Sequence, residues 1–174
     1  MAETEESPLD PVGRVLHWAC KISAAIGGTA QIGIALMTMA SVIGRSVFST
    51  PIQGDFELVQ LACAVCVAAF LPYCQWQKAN IIVDFFTTRA SNRTQALLDA
   101  FGTLLLGIVL GLAAWRTGVG AISVKGSNET SMLMGFPIWI AYACMVPGLA
   151  LTSMVAFYMS WRIASGRDGG MGNA

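Results

Sequence analysis

Residues 130–161 read TSMLMGFPIWIAYACMVPGLALTSMVAFYMSW, 32 consecutive positions without Asp, Glu, Lys or Arg. A hydrocarbon core of about 30 Å takes roughly 20 helical residues at 1.5 Å each, so this run holds a full crossing. Three further uncharged runs precede it: 23 residues over 22–44, 20 residues over 58–77 and 16 residues over 100–115. The third is short, but Leu97 and Leu98 extend it across Asp99. A charge at the centre of a bilayer costs roughly 2.5–3.5 kcal/mol on insertion scales, which makes clean gaps informative. Open sheet edges cannot face lipid, so each run reads as a helix. The expected fold is an all-α membrane protein of one domain. Its four transmembrane helices lie at 22–44, 58–77, 95–116 and 137–161, with tails at 1–21 and 162–174.

The rest of the composition agrees. Of 174 residues, 55% are hydrophobic and only 11% charged, and the mean hydropathy is +0.63. Soluble domains carry about 25% charged residues. The ten basic and ten acidic residues cancel, which leaves no basic footprint for nucleic acid. The first apolar run is too long for a cleaved signal peptide, and residues 1–11 before it are acidic and polar.

Two signals orient the chain. With both termini cytoplasmic, the inner segments hold Arg14, Lys21, Lys78, Arg89, Arg93, Arg162 and Arg167, and the outer loops hold Arg45, Arg116 and Lys125, seven against three. That is the positive-inside bias. All five tryptophans (Trp18, Trp76, Trp115, Trp139 and Trp161) fall near expected span ends, where indole rings anchor at the membrane interface.

Within the spans, Ser23 with Gly27 and Ala24 with Gly28 put small residues at helical spacing. Gly107 and Gly111 form a GxxxG in the third span; both patterns mark close helix contact. Pro72 is expected to kink the second span near its inner end. Pro137 suits the first turn of the fourth span, which also contains Pro147-Gly148. The stretch after the second span is too short and too charged to cross. At helical spacing Ile81, Ile82, Phe85 and Phe86 share one face, with Asp84 among them. We therefore expect an in-plane amphipathic helix over 80–93 at the inner interface. No internal repeat is visible, so an inverted-repeat transport core is not encoded in this chain alone.

The chemistry-bearing residues are few. His17 is the one histidine, where haem in a membrane bundle usually needs a pair of axial ligands. Cys63-x-x-Cys66 has a redox spacing but falls inside the second span, where an apolar thiol is inert. Cys20, Cys74 and Cys144 also lie in or beside spans, and neither outer loop holds a cysteine. No charge is expected deep in a span, where proton relays and ion paths need one. No triad, phosphate loop or carboxylate pair is present, so neither enzyme activity nor a metal or cofactor site is expected. The charges at span ends (Arg45, Asp55, Glu57, Arg116, Lys125 and Glu129) read as a candidate partner-docking face on the outer side.

Four features in this order resemble the small membrane subunit of tripartite ATP-independent periplasmic (TRAP) transporters, the DctQ type. They are Arg45 with Phe48, Pro51, Gly54 and Glu57-Leu58; Ala79-Asn80-Ile81-Ile82-Val83-Asp84; Trp115 with Gly126, Glu129 and Thr130-Ser131; and Pro137, Trp139, Tyr142 and Pro147-Gly148. Asn80 and Ile82 stand where the family often carries histidine and arginine. The resemblance implies a non-catalytic scaffold subunit in a bacterial inner membrane. A large multispan subunit would hold the sodium and organic-acid sites, and a periplasmic binding protein would deliver the substrate. The interfacial helix would brace the complex in the plane of the membrane lipid. Two other classes share four spans, a membrane thiol-redox protein and another membrane assembly factor.

Overall fold

The computed structural model describes residues 11–48, 54–77 and 92–165. They form four helices: α1 (Pro11–Phe48), α2 (Asp55–Trp76), α3 (Asn92–Ser127) and α4 (Trp139–Ala164). All four are long and apolar enough to cross a membrane. The expected in-plane helix, with Ile81, Ile82, Asp84, Phe85 and Phe86, lies outside the described residues.

Cross-helix neighbours set the directions. Ser23 of α1 meets Ala69 of α2 while Ser41 meets Asp55, so these helices are antiparallel. Gly107 of α3 meets Ala156 of α4 while Gly120 meets Tyr142, also antiparallel. The α1–α2 and α3–α4 connections therefore share one end, here called the top; Trp76 and Trp161 lie toward the bottom. The helices pack in the order α1–α2–α4–α3, and among the described helices α3 touches only α4. Fittingly, 39% of the apolar stretch of α4 is buried, against 11–17% in the other three.

Small side chains make this packing possible. The buried positions are mostly Ala, Ser, Thr and Cys, with Ala68, Ala114 and Leu149 forming the apolar centre. Lipid tails are as apolar as leucine, so helices in a bilayer associate through close packing and interhelical hydrogen bonds instead. Three serines supply such bonds to backbone carbonyls. Ser23 Oγ donates to the Ala69 carbonyl (2.8 Å), Ser153 Oγ to Gly107 (2.9 Å) and Ser160 Oγ to Ala100 (2.9 Å).

Two helices outrun their expected bounds: α1 starts at Pro11, eleven residues before 22, and α3 runs to Ser127, eleven residues beyond Arg116. There it ends in a Schellman cap. Asn128 adopts φ 50, its N–H donates to Lys125, and the Glu129 N–H donates to Val124. Residues 128–138 then fold back through a Thr130–Pro137 bridge and a turn at Gly135, whose φ is 64.

Candidate functional site

At the top, α2 begins at Gly54, whose φ of 81 suits a residue without Cβ. Asp55 follows, and its carboxylate points inward. Ser41 Oγ donates to Asp55 Oδ2 at 2.6 Å and the Phe56 N–H donates to Oδ1 at 2.9 Å. Arg45 Nη2 lies 3.7 Å from Oδ2, with its own side chain half exposed. This cluster ties the end of α1 to the start of α2. The Asp55 side chain, expected on the outer docking face, is only 11% accessible and is used within the chain.

Glu57 forms a second clasp one turn away. Its Oε2 accepts hydrogen bonds from Ser131 Oγ and, at 3.2 Å, from the Leu133 N–H. The carboxylate therefore holds the α3–α4 connection over the start of α2. Beneath it opens an apolar cleft of about 300 Å³, lined by Leu61, Val65 and Cys66 of α2 and by Phe136, Ile140 and Cys144. Met132 at the tip of the connection is fully exposed. Lys125 Nζ sits 4.9 Å from the centre of the Trp139 ring, a cation–π contact between α3 and α4. Glu129 is exposed beside it.

Toward the bottom, His17, Trp76 and Tyr158 stack across α1, α2 and α4, with centroids 5.3 Å and 6.3 Å apart. Of the tryptophans, Trp18 and Trp161 stand exposed near the bottom, whereas Trp76 is in this stack and Trp139 lies under Lys125. His17 stands out in the sequence as the one histidine, but its partners lie on other helices and leave no local signal.

Gly107 and Gly111 both face α4. A Cβ on Gly107 would lie 3.2 Å from Ala156 Cβ, and one on Gly111 would lie 2.9 Å from Ser153 Oγ. This contact is internal to the chain. Gly111→Leu is expected to force the two helices apart and break the Ser153–Gly107 bond, at a cost of about 1–3 kcal/mol. The readout is a lower midpoint for thermal loss of monodisperse protein in mild detergent. An unchanged midpoint would show that α3 and α4 do not meet along these glycines.

Arg116 and Trp115 are not at the top. Gly111 faces Ser153 and Gly118 faces Val146, so Arg116 is level with about Gly148 of α4, which itself abuts Ala68 of α2. That level is near the middle of both helices. The expectation that no charge lies deep in a span is therefore corrected. A gap-based reading ends a span at its first charge, whereas α3 continues three more turns along α4. The redox pair is also placed by the helices. Cys63 and Cys66 lie within α2, Cys66 buried, and all five cysteines are free.

Four apolar membrane-length helices joined through small-residue and serine contacts define a multi-pass helical membrane protein. The family described as "Tripartite ATP-independent periplasmic transporters, DctQ component" matches residues 34–166. The chain belongs to this family, a transporter-component family rather than an enzyme family. Membership implies a large membrane subunit and a periplasmic binding protein as partners. No curated protein matches the chain, and no solved structure does.

Proposed function

We propose that this chain is the fixed scaffold of a sodium-coupled, binding-protein-dependent secondary transporter for organic acids in a bacterial inner membrane. The large subunit holds sodium and substrate; this chain braces it and binds no cofactor. With both termini cytoplasmic, the top faces the periplasm. There the 128–138 connection, with Lys125, Glu129 and the partly exposed Arg45, contributes to the surface on which the binding protein docks. Residues 80–93 brace the assembly at the cytoplasmic interface. Family membership over 34–166 is the observation that carries this reading. It is supported by an open packing order, which leaves long apolar faces on α1 and α3 for other membrane components.

Affinity purification from mild-detergent extracts of native membranes tests it. The expected outcome is stoichiometric recovery of a multispan protein of transporter size. A chain that purifies alone, folded and stable, overturns the scaffold reading.

A further inference from the structure

α3 is an edge helix, and the face it turns away from α4 carries a charge at the level where α2 and α4 are near their middles. At about 100° per residue, Arg116 is nine positions and half a rotation from Gly107, which packs on α4. Leu105, Val109 and Leu112 share that outward side and are exposed, as is Arg116 itself. The guanidinium makes no hydrogen bond or ion pair with any described residue.

Its depth follows from the α3–α4 register. Arg116 lies about nine residues, roughly 13 Å, below the level of Lys125 and Trp139. It is only about 4 Å from the midpoint between Trp139 and Trp161. Helical side chains lean toward the N-terminus of their helix, which for α3 is the bottom. Arg116 therefore leans toward the midplane and away from the nearer interface, the direction that opposes snorkelling. Hydrocarbon offers no acceptor for its five N–H donors. An arginine this deep normally faces protein or a water-filled cavity.

α1, at the other edge, has no charged residue between Lys21 and Arg45. Lys21 of α1 is level with about residue 72 of α2, a comparable depth, but it leans toward the bottom, its nearer interface, and can snorkel there, so the demand for a polar partner is strongest on the α3 edge. A second copy answers it poorly, because a two-fold contact through this face would bring two Arg116 side chains together.

We infer that the Arg116 face of α3 is the membrane-embedded seat of the large transport subunit, which presents a carboxylate or unpaired backbone carbonyls to Arg116 near mid-bilayer. The inference rests on the scaffold reading and names its contact. Arg–carboxylate pairing in such a site is geometrically specific and strong, and it would fix both depth and rotation of the small subunit against its partner.

The experiment uses the tagged full chain co-expressed with its large subunit. A photo-cross-linking residue is placed at Val109 or Leu112, and at Ile26 or Ile32 on α1 for comparison. In parallel, Arg116→Leu is scored for large subunit recovered per small subunit. The α3 positions should cross-link to the large subunit, and Arg116→Leu should lower its recovery at least tenfold while the small subunit stays monodisperse. Arg116→Lys, which keeps the charge but not the fork, should lose less. An unchanged ratio in Arg116→Leu overturns the inference, as do α3 cross-links confined to lipid or to a second copy. Failure of the unmodified chain to recover any large subunit is a different result, and it removes the scaffold reading itself.

Discussion

Gly148→Ala is expected to lower the stability of the folded protein by about 3 kcal/mol, near the upper end of typical overpacking costs. That is more than a hundredfold in the folded-to-unfolded ratio. The reason is a contact between backbones. A methyl group at 148 would overlap the carbonyl oxygen of Ala68 and lie 2.7 Å from its carbonyl carbon and 3.3 Å from the Ala69 nitrogen. A side-chain neighbour could rotate aside, but these atoms belong to α2, so the whole helix must shift. The site also has a local cause. Pro72 lacks the N–H that would normally bond the Ala68 carbonyl four residues earlier. α2 therefore turns an unspent acceptor toward the one residue type that lets α4 come close. Helix propensity predicts the opposite sign, since Ala is favoured over Gly by about 1 kcal/mol in a helix interior. Gly33→Ala is the control, because nothing lies within 4 Å of a Cβ there, and it should be neutral or slightly stabilising. Thermal midpoints of the two variants in mild detergent decide the matter. If Gly148→Ala behaves like Gly33→Ala, α2 and α4 do not pack at this point.

Asp55→Ala is expected to cost about 2–3 kcal/mol, most of it from one hydrogen bond to a charged acceptor. Ser41, 1% exposed, would lose the acceptor 2.6 Å from its hydroxyl. The ion pair with Arg45 adds little, since a half-exposed pair is worth at most about 1 kcal/mol. Asp55→Asn should cost less because its amide oxygen can still accept from Ser41. A double-mutant cycle isolates the pair: with Ser41→Ala present, replacing Asp55 should cost at least about 1 kcal/mol less than it does alone. Strict additivity would mean that Ser41 and Asp55 do not interact. The same geometry changes how charge-reversal experiments at the top should be read. Lysine at 55 or 57 would break the chain's own clasps, so a fall in uptake there would report damage to the scaffold as well as to docking.

Several features were legible without coordinates. The uncharged runs show four spans because a bilayer penalises charge, and that penalty acts on each residue wherever its neighbours are. The all-α class follows for the same reason, since backbone groups in lipid must be satisfied within their own segment. Gly27, Gly107, Gly111 and Pro147-Gly148 stand out as places for close approach. The order of short motifs is enough to reach the family. What they approach is not legible. Gly107 and Gly111 could as well have faced another chain, and only the fold sets them on Ala156 and Ser153.

Charge and depth divide most sharply at α3. From the sequence, Arg116 and Trp115 close a span, because a charge is the natural end of an apolar run. In the structure the helix continues to Ser127, and its register against α4 puts Arg116 level with about Gly148, near the middle of α4. Likewise Asp55 and Glu57 read as free surface charge from their place beside a loop, while Ser41, 14 residues away, turns Asp55 inward and Ser131, 74 residues away, ties Glu57 to the α3–α4 connection. How many helices cross and which residues are small enough for close contact can be read from the residues one at a time, because hydrophobicity and steric size belong to single residues. The order α1–α2–α4–α3, the approach of the Ala68 carbonyl to Gly148 and the level of Arg116 along α4 come only from tertiary packing. Each of those depends on the rotation and sliding of one helix against another, which cross-chain packing sets and no local pattern records.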